Sequence, residues 1–338
     1  MPTTCGPRAA AVAAPLTLVL LAACTQPADT VDPDERDSLS IATGGSAGVY
    51  YPVGGALAEI IGDEVSDLSA SVESTGASVE NMRLIESGDS DLAIVQGDAA
   101  YQALHGEGEE FDGDPIEARA LTVLYPNVYH TVTLESINDD LGMECFSDVE
   151  GTRFSFGAPG SGNELATQLI FDGVGLDRAD VDEQNLGYAE TANALREDQL
   201  DAGSWSVGEG HASLQELETT DPIELISMCA DERDSIVDEH PFYAPHTIEA
   251  GVYETVDEDV ETMALWNVLV VAEDFPDELA EQIVTAFYEH SEVAVQTYEP
   301  GEPYFTPETM LESPIPLHSG AIGYAEDHDL DVPDELRP

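Results

Sequence analysis

The fold is decided by residues 38–62, which read SLSIATGGSAGVYYPVGGALAEIIG. Apolar and polar residues alternate over 38–43, and this alternation predicts a β-strand. A glycine-rich loop follows, and residues 51–61 then have Val53, Leu57 and Ile60 on one side of a predicted helix. A strand, a glycine loop and an amphipathic helix in this order are typical of the first unit of a parallel α/β sheet.

The alternation of strands and helices continues along the chain. Strands are predicted at 68–73 and 92–96, on either side of a helix at 78–87 that ends at Gly88. This β-α-β-α-β order implies a doubly wound parallel sheet. A second set follows, with predicted strands at 152–156, 182–186, 201–206 and 223–228 and predicted helices at 163–172 and 190–196.

Two apolar, β-rich segments lie outside this alternation, at 129–134 and 266–272. Both have the composition to pair as neighbouring strands where the chain enters and leaves the second set. A further helix is predicted from residue 276 to residue 290. About 300 folded residues suggest two domains. The expected α/β architecture therefore has two lobes joined by two hinge crossings beside a cleft, with lobe one at 39–126 plus 274–338 and lobe two at 127–273.

The N-terminal residues predict export. Residues 1–8 carry one positive charge, and the uncharged, apolar run 9–21 is too short for an ordinary transmembrane helix. The run ends in Leu-Ala-Ala-Cys at 21–24, which resembles a lipobox. We therefore expect a lipoprotein signal peptide at 1–23, a lipid on Cys24 and a flexible tether at 24–38, with the protein at the extracellular face of the membrane. The alternative is an ordinary signal peptide with Cys24 incidental.

The charge is extreme. The formal net charge is −61, and the sequence has no lysine, so all nine basic residues are arginines. The acidic residues are spread along the chain, which favours adaptation to concentrated salt over binding of a basic partner. A halophilic archaeal source follows from this composition. Nucleic acid is excluded as a partner by repulsion, and disorder by a hydrophobic content of 42%.

Cysteines and histidines add little to the functional prediction. Cys145 and Cys229 are the two cysteines that remain in the expected folded part, and whether they form a disulfide stays open. The eight histidines lack metal-ligand spacing, so we expect neither a metal nor a cofactor.

Three Gly/Ser/Thr-rich loops occur where a predicted strand gives way to a predicted helix, at 43–48, 74–78 and 158–163. Such loops lie at the carboxyl ends of parallel strands, where open α/β sheets bind ligands. Glycine lets the backbone approach closely, and free N–H groups at a helix start bind anions. Together, the three loops favour a ligand site that both lobes contact. The alternative is that their Ser, Thr and Gly residues serve only as helix caps.

One of these loops also matches a sequence motif of an enzyme class. Residues 44–48 fit G-x-S-x-G, the nucleophile elbow of α/β-hydrolases, with Ser46 as nucleophile and His318 and Asp327 as conceivable partners. However, this is the first strand of the expected fold, whereas a hydrolase needs several strands before its elbow. We therefore expect no enzyme activity.

At these loops the chain resembles the TAXI family of TRAP-transporter solute receptors. The resemblance is co-linear over about 40–325. It is carried by TGG at 43–45, GVYYPVGGA at 48–56, STGASVENMRL at 74–84, DLAIVQ at 91–96, LYP at 124–126, GAPGSG at 157–162, PFY at 241–243 and PIPLHSGA at 314–321.

The resemblance implies a type II periplasmic-binding-protein fold that closes on an organic acid, glutamate-like or a dicarboxylate. The ligand would then pass to a TRAP permease driven by an ion gradient, and a monomer is expected. A stand-alone sensor that uses the same clamp is the alternative. The implied ligand-binding residues are Thr43, Gly44, Gly45, Ser46, Tyr50, Tyr51, Thr75, Gly76, Ser78, Gln96, Ser161, Gly162 and Asn163.

Two segments depart from the family pattern. Residues 205–211 read WSVGEGH where relatives tend to have a small or aromatic residue and then Ala-Gly-Val-Pro, and residues 150–153 read EGTR in place of Lys-Gly-Lys. The first departure bears on ligand identity, and the second is a surface acidification. Because the glycine loops contain no arginine, a bound anion must rely on neutral donors, with Arg83 and Arg153 as the conceivable exceptions.

We predict that the fold is stable in molar salt and loses cooperativity in dilute buffer. The Debye length is about 3 Å at 1 M ionic strength, so repulsion within this acidic chain is screened there and unscreened in dilute buffer. Thermal unfolding followed by circular dichroism in both conditions measures the effect. An unchanged melting temperature would show that the acidity has no role in stability.

Overall fold

A sheet of ten strands forms the centre of the fold. The computed structural model describes residues 37–338. The predicted signal peptide at 1–23 and the expected lipid anchor Cys24 lie outside the described residues, as does the predicted tether as far as residue 36. Within 37–338, no helix combines the length and the apolar composition needed to cross a bilayer.

The strands are β1 Ser38–Ala42, β2 Ser69–Glu73, β3 Leu92–Gln96, β4 Ala118–Leu134, β5 Arg153–Ser155, β6 Asp182–Gln184, β7 Ala202–Val207, β8 Ile223–Leu225, β9 Ala244–Ile248 and β10 Val260–Ala272. The helices are α1 Tyr50–Glu64, α2 Ser78–Ser87, α3 Gly97–His105, α4 Gly108–Phe111, α5 Glu135–Leu141, α6 Gly162–Val174, α7 Tyr188–Arg196, α8 Ala212–Glu218, α9 Ala230–Glu239, α10 Asp277–Glu289, α11 Ser291–Thr297 and α12 Ser319–Asp327. Short 3-10 helices span Phe146–Val149, Arg178–Asp180, Glu299–Gly301, Pro307–Glu312 and Asp334–Leu336.

The first unit has the predicted β-α-β-α-β order. β1 lies between β2 and β3, and the three strands are parallel. All five residues of β3 are buried, as is typical of a strand covered on both faces. α1 buries Leu57 and Ile61, and α2 buries Met82 and Ile85. The apolar residues that the sequence places on one side of each predicted helix therefore form the buried side of that helix.

The second unit repeats the first. β5 lies between β6 and β7, again in parallel, and α6 and α7 connect the three strands. In each unit the strand that comes first in the chain is the middle one. This order confirms the predicted doubly wound α/β fold.

The two segments predicted to be neighbouring strands belong to much longer strands. β4 and β10 pair in antiparallel register from Ala118 with Ala272 to Val128 with Ala264. Residues 129–134 pair with β7 and β8 instead of with 266–272, so that part of the prediction is wrong. The cause is the length of β4, whose first half already occupies the partner positions along β10.

The ladder between β4 and β10 is irregular between Trp266 and Val268. Pro126 lies opposite Trp266, and proline has no N–H to give to a ladder. Such irregularities re-aim the side chains next to them. The neighbouring residues Tyr125, Asn127 and Asn267 are all buried.

Cys145 and Cys229 form a disulfide between the 3-10 helix Phe146–Val149 and the start of α9. The buried Glu232 reinforces this junction, because its carboxylate accepts the N–H groups of Cys229, Phe146 and Ser147. A covalent bond and a charge-assisted cap therefore hold the same corner of the fold.

His130 of β4 is a buried, neutral histidine. Its Nδ1 lies 2.8 Å from the carbonyl oxygen of Val128 and 3.3 Å from that of Trp205, so Nδ1 carries the proton and donates. The O–H of Tyr253 then donates to Nε2 over 2.9 Å. Burial lowers the pKa of His130 to about 4, because a charged imidazolium would lose its hydration.

We predict that stability falls between pH 6.5 and pH 4 partly through His130. The unfolded histidine takes up a proton near its ordinary pKa of about 6.5, whereas the folded one resists protonation down to about pH 4, so the free energy of unfolding declines over this window by about 3 kcal/mol. The variant His130→Gln should have a shallower pH dependence of its melting temperature in molar salt. Parallel pH profiles for the two proteins would contradict the prediction.

Candidate functional site

A cavity of about 340 Å³ lies where the loops after four parallel strands meet. Two of these loops follow β1 and β2 in the first unit, and two follow β5 and β6 in the second unit. All four lie at the carboxyl ends of their strands, the usual ligand position of open α/β sheets. The fold thus brings the loops of both units to a shared site.

Most of the residues predicted from the sequence line this cavity. They are Gly44, Gly45, Ser46, Tyr50, Thr75, Gly76, Ser78, Gln96, Ser161, Gly162 and Asn163.

Thr43 and Tyr51 do not line it. Thr43 is fully buried, and its hydroxyl donates to the carbonyl of Glu73, so it fastens β1 to β2. Tyr51 is 37% exposed. Consecutive residues of a helix point about 100° apart, so α1 can turn only one of its two first tyrosines into the cavity, and that one is Tyr50.

Sequence reasoning missed the fourth loop and the floor of the cavity. Tyr188 and Glu190 come from the start of α7, and Tyr125, Asn127 and Ser206 come from β4 and β7. The first two had a signal, because the loop between β6 and α7 is the counterpart of the loop at 74–78. Tyr125 and Ser206 stand in LYP at 124–126 and WSVGEGH at 205–211, which belong to or depart from the family pattern, but only strand pairing brings these two and Asn127 to the site.

Four helices begin at the cavity. Their first residues, Tyr50 of α1, Ser78 of α2, Gly162 of α6 and Tyr188 of α7, all line it. The N–H groups at a helix start have no partner within the helix, and the helix dipole is positive there. Four positive helix ends therefore face the cavity, and its lining, as far as the described residues go, contains no basic side chain.

Two serines offer hydroxyl hydrogens to the cavity, one from each unit. The Ser78 oxygen accepts the N–H of Gln96 over 3.0 Å, and the Ser161 oxygen accepts the N–H of Glu164 over 3.1 Å. Each hydroxyl is an acceptor in these bonds, so its hydrogen can turn between a ligand and a neighbouring oxygen, which for Ser78 is the phenol of Tyr50.

The side chain of Gln96 connects the two units. Its Nε2 donates to the carbonyl of Gly162 over 2.9 Å, and its Oε1 accepts from Asn127 and from Ser206. The carboxylate of Asp98 lies 3.4 Å from Nε2, which fixes the orientation of the amide. Gln96 is 2% exposed, so these bonds replace all of its contacts with water.

A second set of bonds fixes Tyr50. Its O–H donates to the Oδ1 of Asn267, whose Nδ2 donates to the carbonyl of Tyr125 and to the Oδ1 of Asn127. Burial raises the pKa of Tyr50 well above its usual value, so the phenol stays protonated. The floor of the cavity is therefore a network of neutral, hydrogen-bonded groups.

Asp98 is hydrogen-bonded to Gln96 of this floor but does not itself line the cavity, and its pKa is unusual. Burial raises its pKa to about 6, although the O–H of Tyr243 and the N–H of Ala99 oppose the shift. Its charge is thus held one step away from the cavity, between Gln96 and Tyr243.

Charged side chains are almost absent from the site. Of the described residues that line the cavity, Glu190 alone carries a charge. Arg83 pairs with Glu86 and Asp114, and Arg153 pairs with Asp198 and Asp201, so neither arginine reaches the cavity.

Ser46 lines the cavity without a general base. The described lining residues include no histidine. His318 caps α12, where its Nδ1 accepts the N–H of Gly320, and Asp327 ends the same helix. The structure does not bring the proposed triad together.

Comparison with known proteins identifies the family. The model of the NMT1-like family matches residues 41–327. This span includes both units and all four loops of the cavity.

Solved structures share the fold. PhnD1 from Prochlorococcus marinus (MIT 9301), in complex with methylphosphonate, has a TM-score of 0.52 and 10% identity over 80% of this chain and 90% of its own. A protein from Bordetella bronchiseptica RB50 has a TM-score of 0.50 and 19% identity over 88% and 86%. A protein from Xanthomonas citri bound to ATP has a TM-score of 0.50 and 11% identity over 87% and 99%. The fold is the periplasmic-binding-protein fold, as predicted.

Proposed function

The chain belongs to the NMT1-like family, and from this premise we propose that it is the extracytoplasmic receptor of a transporter. It binds a small organic acid, delivers it to a TRAP permease of the TAXI type, and performs no chemistry on it. The observation that carries the proposal is the convergence of four helix starts on one cavity lined by neutral hydrogen-bond donors.

The donors suit an anion. The residues that begin α1, α2, α6 and α7, with their backbone N–H groups, and the hydroxyl-bearing Ser78 and Ser161 all line the same cavity. Charge-assisted hydrogen bonds contribute roughly 1.5–3 kcal/mol each. Three or four of them, less the cost of ordering the lobes, correspond to about micromolar affinity.

The same contacts couple binding to closure. We place lobe one at 39–126 plus 274–338 and lobe two at 127–273, so that the first crossing lies within β4 and the second comes directly after β10. A Cβ on Gly162 would lie 2.6 Å from the Ser78 hydroxyl, so only glycine permits this approach between α6 and α2. A ligand held by both lobes binds the closed form better and therefore favours it.

We predict that the double variant Ser78→Ala, Ser161→Ala weakens binding of small carboxylates by about tenfold or more, because it removes one hydroxyl donor from each side. Calorimetry in molar salt on a panel of mono- and dicarboxylates measures affinity, and small-angle scattering follows closure. Ser87→Ala, on the exposed end of α2, is the matched control. Unchanged affinity in the double variant, or tight binding of a cation or a plain hydrocarbon, would contradict the proposal.

The proposed anchor is tested separately, since Cys24 lies outside the described residues. We predict that Cys24→Ser releases the protein into the medium or leaves it unprocessed, because the thiol that would carry the lipid is removed. Mass spectrometry of the mature N-terminus provides the measurement. A mature chain that begins at any residue other than Cys24 would refute lipid anchoring, and the ligand-binding proposal would stand unaffected.

A further inference from the structure

The four helix starts at the cavity differ in their own acidic residues. α2, α6 and α7 have a glutamate at the third helical position, namely Glu80, Glu164 and Glu190. α1 has no acidic residue in its first turn. Since a carboxylate in the first turn offsets the positive end of a helix, α1 alone keeps its full positive end at the cavity.

Two of the three glutamates are used inside their own loops. The Oε2 of Glu80 accepts the N–H of Gly76 over 2.6 Å, and the Oε2 of Glu164 accepts the N–H of Gly160 over 2.8 Å. Both carboxylates reach back from the helix to the loop before it, as in a capping box. The loops before α2 and α6 therefore have less capacity to bind a further negative charge.

The loop before α1 differs, because α1 has no glutamate in its first turn to accept the N–H groups of that loop. Within the described part of the chain, the N–H groups of Gly45, Ser46 and Ala47 make no hydrogen bond. The hydroxyl of Tyr125, in a side chain that is fully buried and lines the same cavity, has no hydrogen-bond partner in residues 37–338 either. The loop before α1 therefore carries three N–H groups without a described acceptor, and Tyr125 adds a hydroxyl without one to the same cavity.

Glu190 marks the α7 end of the cavity. Its side chain is exposed, lies over Gly187, and makes no hydrogen bond or ion pair with any described residue. A ligand that extends from α1 towards α7 therefore meets donors at one end and a free carboxylate at the other.

We propose that the cavity is electrically polarised, with the ligand's carboxylate bound at the loop before α1 and its far end selected by Glu190. This inference rests on the proposed function and narrows it, and it departs from the glutamate-like or dicarboxylate ligand that the family resemblance implies. The ligand class is a monocarboxylate whose other end is neutral or carries an ammonium group, and a second carboxylate at the α7 end is rejected by repulsion.

The test uses acids of equal length that differ only at the far end. Butanoate, 4-aminobutanoate and succinate form one set, and pentanoate, 5-aminopentanoate and glutarate form a longer set. Calorimetry in molar salt compares the wild type with Glu190→Gln. Glu216→Gln, on the exposed face of α8 and outside the cavity lining, is the control because it removes the same charge elsewhere.

In the wild type, the dicarboxylate of each set should bind more weakly than the monocarboxylate. Glu190→Gln should raise the affinity for the dicarboxylate relative to the monocarboxylate by a few fold, since two like charges no longer face each other and molar salt screens the repulsion of an exposed carboxylate in part. It should also lower the relative affinity for the amino acid. Glu216→Gln should leave all ratios unchanged.

Two results overturn the inference in different ways. If the acids bind but Glu190→Gln changes the affinities of mono- and dicarboxylates equally, the polarity is wrong and the receptor function stands. If no acid of either set binds to any of the proteins, the proposed function fails and the inference fails with it.

Discussion

The antiparallel pairing of β4 with β10 is the constraint on which the rest of the structure depends. β3 joins the first unit to β10, and β7 joins the second unit to β4, so this pair lies between the two parallel groups. Because both units have their first strand in the middle, their strand-to-helix loops come to the same side of the pair. The irregularity near Trp266 then aims Tyr125 and Asn127 at the space between the loops.

The floor of that space is held in place because its side-chain amides hydrogen-bond to one another. Gln96, Asn127 and Asn267 exchange hydrogen bonds among β3, β4 and β10, and Tyr50 and Ser206 complete the set. Each such bond contributes only about 1 kcal/mol net, whereas a buried polar group left unpaired costs about 1–3 kcal/mol. The network therefore specifies one arrangement of the strands more than it adds stability, and it presents a fixed set of neutral groups.

The sequence predicts the parts of the site that are local. Three of the four loops are recognisable because glycine and hydroxyl residues stand between a strand pattern and a helix pattern, as at Ser161 and Gly162. Tyr125 and Ser206 are not recognisable, since nothing in a strand's own sequence states which residue of another strand lies beside it. The pairing of 266–272 failed for the same reason, because the first half of β4 lacked a predicted strand. Glu190 differs from Glu80 and Glu164 in having no hydrogen-bond partner among the described residues, and only the structure shows this difference.

The absence of basic side chains from the cavity follows from the chain's own charge. Arg83, Arg119, Arg153, Arg178, Arg196, Arg233 and Arg337, the arginines within residues 37–338, are all paired with carboxylates. In a protein with a net charge of −61, a free arginine in a cleft would find an acidic partner before a ligand did. Backbone N–H groups and hydroxyls have no net charge for those acids to capture, and they are fixed by the helices that carry them. Salt at molar concentration screens exposed charges over about 3 Å, whereas the buried helix starts at Tyr50, Ser78 and Gly162 are screened less. In the proposed receptor, helix starts would thus bind an anion without any basic side chain in a strongly acidic chain, and Glu190 would give that site its direction.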